Sequence, residues 1–282
     1  MIEQNTPEWL EMRKKYIGAS DAPIIMGVSP WTTPLQLWER KLNLAEEKQQ
    51  TQAMKSGTDL EPIAREIFIR DSGVPVSPKV MFHPRYKWMM ASMDGISSSG
   101  KTAVEIKCPQ NPRDHEIACR GEVPEKYLPQ LQHQMEVCDL DTIFYLSFYN
   151  GKSILLEIDR NERYIQEMVR EEEAFYKCMK EMEPPKLTDR DFNTRWDSDW
   201  QFLANQWTLN QQQMKICEKR EEELRTRLIE ISGGMNSMGC GVRLTKVLRK
   251  GVVDYKAIPE LKNVDLDKYR KEPSLSFRIA EG

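Results

Sequence analysis

Apolar positions change their spacing along this chain. Up to about residue 71 they recur at helical intervals. Trp9 and Arg13 stand four apart on one face of an opening helix, with Asn5 placed to cap it, Pro7 in its first turn and Glu8 completing a capping box. Ser20 or Asp21 can cap a short helix ending near Gly27, and Thr33-Pro34 opens another that runs to about Leu42. Thr58-Asp59-Leu60-Glu61-Pro62 reads as a capping box starting a helix to about Asp71, with Gly73 as its stop.

From residue 79 the period drops to two. Lys79 to His83, Trp88 to Met93 and Thr102 to Cys108 read as three strands, divided by Pro84-Arg85 and by Ser97-Ser98-Ser99-Gly100, and Pro109 closes the third. Pro124 opens a helix to about Val137. Asp141 to Tyr149 and Lys152 to Ile158 flank Asn150-Gly151, a strong hairpin signal. Ile165, Met168, Val169, Phe175, Tyr176 and Met179 return to helical spacing between Glu162 and Met182. This order predicts an α/β fold with a central mixed five-stranded sheet flanked by helices.

Glu183-Pro184-Pro185-Lys186 reads as a domain edge, giving a main domain over 1–185 and a C-terminal α+β extension over 186–282. The extension opens with a long helix over 205–231. Trp207, Met214, Cys217, Leu224, Leu228 and Ile231 lie at heptad spacing on it, interrupted by Asn210 and Glu221. Packing on its own domain is the expectation, with an intermolecular coiled coil as the alternative. Gly233-Gly234 ends the helix. Gly241–Leu248 and Val252–Ile258 read as strands around Arg249-Lys250-Gly251, and Leu275–Ile279 as a last strand. Arg243, Lys246, Arg249, Lys250 and Lys256 face Asp254 alone there, so this is the most basic local stretch: a solvated hairpin is the first expectation, contact with a nucleic-acid backbone the second.

Composition narrows the function. The 282 residues carry 41 Lys and Arg against 44 Asp and Glu, a net charge of −3, which excludes an overall basic polyanion binder. No apolar run of membrane-spanning length exists, and Met1-Ile2-Glu3-Gln4 has neither the basic nor the apolar region of a secretory signal, so a cytoplasmic protein is expected. No two of the six cysteines lie closer than eleven residues, which removes zinc knuckles and iron–sulfur ligation and leaves reduced, mostly buried thiols as the expectation. Phosphate-binding glycine loops are missing, and His83, His115 and His133 are far apart in sequence. Trp31 and Trp38 are read as core residues, with base stacking as the lesser alternative.

One constellation carries chemistry. Asp94 ends the second strand, and Glu105-Ile106-Lys107 lies on the third; residues two apart on a strand share a face, and the hairpin brings Asp94 alongside. Two carboxylates and an ammonium then converge at one end of the sheet. Mg²⁺ takes oxygen ligands, so Asp94, Glu105 and the Ile106 carbonyl could hold it, with Glu61 in reach from the preceding helix. A bound metal activates water and neutralises charge on a phosphate, while Lys107 orients or deprotonates that water. Charges alternating on a solvated hairpin are the plain alternative, and Asp-x₁₀-Glu-x-Lys alone does not exclude it.

Six pieces in order decide between these readings: Trp9-x₃-Arg13, Ile17-Gly18-Ala19-Ser20-Asp21, Gly57-x₃-Glu61-Pro62, Ser92-Met93-Asp94-Gly95, Glu105-Ile106-Lys107-Cys108-Pro109 and Tyr127-x₂-Gln130-x-Gln132. Over roughly residues 6–180 the chain resembles the lambda-exonuclease-like (YqaJ-type) viral recombination nucleases of the PD-(D/E)xK superfamily. Met93 stands where the family usually has proline, at a position that is not a ligand. The resemblance implies Asp94 and Glu105 as metal ligands, Lys107 as the catalytic lysine, Glu61 as an auxiliary ligand and Gln130 as the glutamine that completes the site. It implies Arg13, Ser20 and Ser92 as holders of a DNA 5′-phosphate, for which a guanidinium fork is apt. It further implies a Mg²⁺-dependent exonuclease, with one or two metals per site and Mn²⁺ able to substitute. Such an enzyme acts 5′ to 3′ on double-stranded DNA ends, leaves 3′ tails for a single-strand annealing recombinase, and works as a trimeric ring. An endonuclease of the same fold and a non-catalytic DNA-binding or recombinase-loading module are the alternatives.

Overall fold

The opening helix α1 (Pro7–Lys15) is capped by Thr6, whose side chain accepts the Trp9 N–H; Asn5 lies outside the described residues. The computed structural model describes residues 4, 6–45, 52–261, 264, 266–269 and 271. Two compact units emerge, Met1–Asn193 and Thr194–Gly282.

In the first unit, β1 (Ile17–Gly18) leads into α2 (Ala22–Ile25) and α3 (Pro34–Lys41). Thr33 caps α3 in a capping box with Gln36, as its sequence predicts. The next helix, α4 (Gln52–Ser72), departs from the expectation: it begins six residues before Thr58, so Thr58 is no cap, Pro62 sits inside the helix and Glu61 stands well past the first turn. The Gln, Ala, Met and Lys residues before Gly57 are good helix formers and carry the helix upstream.

Three strands follow, β2 (Val76–Phe82), β3 (Met89–Ser97) and β4 (Ala103–Lys107). Then comes α5 (Pro112–Cys119), which the pattern reading left out although Asn111-Pro112 is a cap followed by a first-turn proline. A single 3₁₀ turn leads into α6 (Leu128–Cys138), and β5 (Thr142–Tyr149), β6 (Lys152–Asp159) and α7 (Glu162–Glu181) complete the fold. Asn150 and Gly151 both take left-handed backbone at the β5–β6 turn, as the Asn-Gly pair predicts.

Among the described residues the sheet has six strands rather than five, in the order β1-β3-β4-β5-β6 with β2 on the other edge of β3. The sixth is the two-residue β1, which runs parallel to β3 through Ile17↔Met89 and Gly18↔Met90. It is too short to show as a periodic run. β4 and β5 are parallel, so the sheet is mixed.

Each face of the sheet carries its own core. Met89, Ala91 and Met93 of β3 and Ile143 and Tyr145 of β5 pack with the helices α2, α3, α6 and α7. Val104 and Ile106 of β4 and Leu146 and Phe148 of β5 pack with Ala64 and Phe68 of α4. Burying Phe68 is worth about 1.5–3 kcal/mol. The alternation sends Ala103, Glu105 and Lys107 to the α6 side and Val104 and Ile106 to the α4 side. A last stretch straps this unit: Arg190 donates to the Ser29 and Pro30 carbonyls at 2.9 and 3.0 Å, and Asp191 accepts from the Thr33 hydroxyl.

The second unit consists of α8 (Ser198–Ile231), an antiparallel ribbon of β7 (Ser237–Gly239) and β8 (Val242–Leu244), and short 3₁₀ turns. Asp197 caps α8 seven residues ahead of the expected start. None of its residues is buried, so the expected packing of this helix on its own domain is not what the structure has. The expected strands at 241–248 and 252–258 are also displaced. The turn falls at Cys240-Gly241, both left-handed, and therefore the ribbon lies on either side of it. Arg249 and Lys250 thus fall outside the ribbon. The Lys256 side chain and Leu275–Ile279 lie outside the described residues. All six cysteines are free, but none is buried: Cys119, Cys217 and Cys240 are exposed and the other three half-buried. No described helix is long and apolar enough to cross a membrane.

Candidate active site

β3 and β4 pair only through Gly95↔Val104 and Ile96↔Ala103, then part. Gly95 permits the close approach at this last paired step, since a Cβ there would lie 2.8 Å from the side chains of both Val104 and Val76. Asp94 and Glu105 are the first residues past it. The Ile106 N–H, left without a β3 carbonyl, donates instead to Asp94 Oδ2 at 2.8 Å. The N–H and carbonyl of one strand residue share an edge, so the Ile106 carbonyl faces the same gap.

α6 covers this opening with a row of amides. Gln130 Nε2 donates to Glu105 Oε1 at 2.6 Å, and Gln130 Oε1 accepts from Lys107 Nζ at 3.0 Å. Lys107 also donates to Glu105 Oε1 at 2.6 Å. One turn on, the wholly buried Gln134 donates to Glu105 Oε2 and, at 3.5 Å, to the Ser92 carbonyl. Glu105 Oε1 thereby has both lone pairs engaged, and Oε2 keeps one. Gln132, on the far face, instead ties β6 to α7 through the Asp159 carbonyl and the Asn161 N–H. From α4, Glu61 pairs with Arg65, whose Nε donates to the Asp94 carbonyl at 2.6 Å.

Negative charge outweighs positive here. Burial, then the charges of Glu105 and Glu61, push the Asp94 carboxyl well above its ordinary range. Burial also raises Glu61, helped by Glu105 and opposed by Arg65. Burial works to lower Lys107, yet Glu105 and Asp94 outweigh it and hold the ammonium above its usual value. The Cys108 thiol is pushed up to about 11 by burial, with Glu61 and Asp94 adding to it. Among the described residues no three His, Cys, Asp or Glu side chains already stand together as a metal cluster. The donor set nevertheless suits a hard cation, with three carboxylates against Lys107 and Arg65 and a main-chain edge in the same gap.

The other expected residues form a second group joined to the first. Arg13 donates to the Ser20 hydroxyl at 2.8 Å. The Arg13 guanidinium lies 4.6 Å over the Trp9 ring, and the Trp9 indole N–H donates to the Ser92 hydroxyl at 3.0 Å. Ser92 is two residues before Asp94 on β3. Through Ser92 this second group joins the strand that carries Asp94. The sequence reading missed Arg65 and gave Gln134, one of the glutamines of its helix, no role, although each lies four residues after an expected residue and so on the same helix face. Trp38 is a core residue whose indole donates to the Cys178 carbonyl. Trp31 is not: it is 61% exposed and carries the Lys126 ammonium 4.7 Å from its ring centre.

Comparison with known proteins bears on the same stretch of chain. Residues 8–141 match the family described as YqaJ-like viral recombinase domain, a span that contains every site residue named above. The chain is 31% identical over 182 residues to the uncharacterized protein YqaJ of Bacillus subtilis strain 168, covering 62% of this chain and 56% of that one. It therefore spans little more than half the length of that relative. The crystal structure of an alkaline exonuclease from Laribacter hongkongensis superposes with a TM-score of 0.56 at 26% identity, covering 63% of this chain and 94% of that one. The same enzyme in complex with dAMP gives 0.55. The chain is therefore similar to proteins of nuclease fold, and a nuclease role is supported.

Proposed function

We propose that this YqaJ-like protein is a metal-dependent exonuclease that digests linear double-stranded DNA from its 5′ ends. One observation carries the reading: Asp94, Glu105, Glu61 and Lys107 gather where β3 and β4 part, beside Arg13, Ser20 and Ser92. Asp94, Glu105, Glu61 and the Ile106 carbonyl would hold Mg²⁺, with Mn²⁺ able to substitute. When bound, the ion supplies an acidified water and neutralises charge on the scissile phosphate. Lys107 orients that water and shields the charge that grows on the phosphate. Gln130 fixes Lys107 and Glu105 relative to one another, and Gln134 fixes Glu105 relative to β3. Arg13, Ser20 and Ser92 hold the terminal 5′-phosphate, with Trp9 setting the positions of Arg13 and Ser92. The resulting 3′ tails suit a single-strand annealing recombinase as partner, a trimeric ring would enclose the DNA, and the cytoplasm is the compartment.

The test is digestion of 5′- and 3′-labelled linear duplex, with and without a 5′-phosphate, beside a closed circle, in Mg²⁺ or in chelator. We expect loss of the 5′ label first, no cutting of the circle, and activity cut by roughly 10²–10⁴-fold in Lys107→Ala and at least as far in Glu105→Ala. Arg13→Ala should lose the preference for phosphorylated ends. Wild-type digestion no faster than that of the two variants would leave a non-catalytic DNA-binding module, and a cut circle would make the protein an endonuclease.

A further inference from the structure

The long helix of the second unit presents a seam with no cover in its own unit. α8 is 34 residues, about 51 Å at 1.5 Å per residue, and buries none of them. Along it, residues alternate in steps of three and four from Trp200 to Ile231 through about four and a half heptads. Trp200, Leu203, Met214, Leu224, Leu228 and Ile231 on this line are between 45% and 84% exposed. A strict seven-residue repeat held this long is the signature of a coiled-coil seam, not of a helix lying on a globular core.

We infer that α8 pairs with the α8 of a second copy of this chain, running antiparallel. The seam has two polar members, Asn210 and Glu221, and they select the arrangement. With Trp200 facing Ile231 of the other copy, Leu203 faces Leu228, Trp207 faces Leu224, Met214 faces Cys217, and Asn210 faces Glu221. Every apolar seam residue meets an apolar one, and the Asn210 amide can donate to the Glu221 carboxylate, a charge-assisted bond. Sliding by one heptad either way breaks this match, setting Asn210 against Leu228 or Met214. A parallel pair sets Glu221 against its own copy inside the seam and Arg220 beside Arg225, two like-charge contacts. In the antiparallel pair the rows flanking the seam meet as Gln206 with Arg227, Gln213 with Arg220, Gln211 with Glu218 and Ala204 with Arg225, with no like charges opposed. A second exposed apolar row, Phe202, Leu209 and Ile216, stops at Glu223 and covers only the first part of the helix. The inference does not depend on the chemistry of the first unit.

Disulfide trapping in the full chain tests it. Two proteins are made with the exposed Cys119, Cys217 and Cys240 changed to Ala, one also carrying Leu203→Cys and the other Leu228→Cys, then mixed and mildly oxidised. A disulfide needs Cα atoms within about 7 Å. An antiparallel pair therefore gives the mixed 203–228 dimer as the main product. Same-to-same dimers would mean a parallel pair and overturn the inference, and so would no dimer from folded protein. A charge exchange adds a control that leaves the trapping positions alone. Asn210→Glu in both chains should cut the mixed product by roughly tenfold, by opposing two carboxylates, and adding Glu221→Lys should restore it. An unchanged yield in Asn210→Glu would also overturn it.

Discussion

Two lysines are drawn into the first unit, and each meets a carboxylate, but they serve different ends. Lys41 spends all three of its N–H bonds, on Asp21 Oδ2 and on the Arg13 and Tyr16 carbonyls, the latter two at 2.6 Å. Asp21 in turn accepts the Gly18 N–H at 2.9 Å. Burial works to raise Asp21, yet Lys41 and Arg13 outweigh it and hold the carboxyl below its usual range. Here cations fully match the one carboxylate, and the cluster ties α1, β1 and α3 together. Lys107 instead faces Glu105 with Asp94 and Glu61 nearby, and Asp94 is held well above its range. A balanced cluster fixes a fold; an over-acidic one stores repulsion that a cation can relieve.

The sharpest way to break this contrast is to remove each lysine. Lys41→Met leaves a buried Asp21 carboxylate unpaired and two carbonyls without donors, so it should cost about 3–5 kcal/mol of stability. Lys107→Met leaves Glu105 still bonded by the Gln130 and Gln134 amides, so it should cost less, while losing activity. Denaturant unfolding of both variants in metal-free buffer checks this, and equal losses would erase the distinction.

That difference between the two lysines was only half legible in the sequence. Asp94, Glu105 and Lys107 stand out because period two fixes their faces and a turn fixes their pairing. The helix start at Thr33 was readable because capping is local, and its side chain does cap. Lys41 with Asp21 is not local: twenty residues separate them, and nothing in the spacing says that the Lys41 ammonium reaches back to the end of α1. β1 escaped for the same reason, since two residues have no period and gain their strand from β3. The start of α4 escaped because Thr58 and Glu61 imitate a cap inside a helix whose upstream residues also favour it. Arg65 could have been found, and Gln134 given its role, because each lies four residues beyond a residue already chosen.

Gln134 offers the next test. Its amide holds the Glu105 oxygen that retains a lone pair, and it has no counterpart at Lys41, where the backbone does the holding. Gln134→Leu keeps the volume and removes the donor. By analogy with other residues that orient metal ligands, the Mg²⁺ concentration for half-maximal activity should rise by about 10–100-fold, with a smaller change in the maximal rate. Gln134→Glu should not rescue it, since a further carboxylate adds to the repulsion. Loss of rate at an unchanged Mg²⁺ requirement would make Gln134 a packing residue only.

The smallest expected effect is the most direct measure of stored repulsion. Asp94→Asn keeps an oxygen for the Ile106 N–H and deletes one charge from the crowd. In metal-free buffer it should stabilise the protein by about 1–2 kcal/mol while abolishing digestion, the stability–function exchange expected of an active site. The sign with pH follows from the raised Asp94 carboxyl. Stability tied to its protonated form is fully present below the unfolded value near pH 4 and drains away as pH rises through the higher folded value. The variant therefore gains on the wild type as pH is raised from about 4 to 7, and adding Mg²⁺ should close the gap by stabilising the wild type alone. Asp21→Asn, at the balanced cluster, should do the reverse and destabilise at every pH above about 4, because it strips Lys41 of its counter-charge. If both asparagine variants shift stability in the same direction, the two lysine clusters are the same kind of object and the over-acidic one is merely structural.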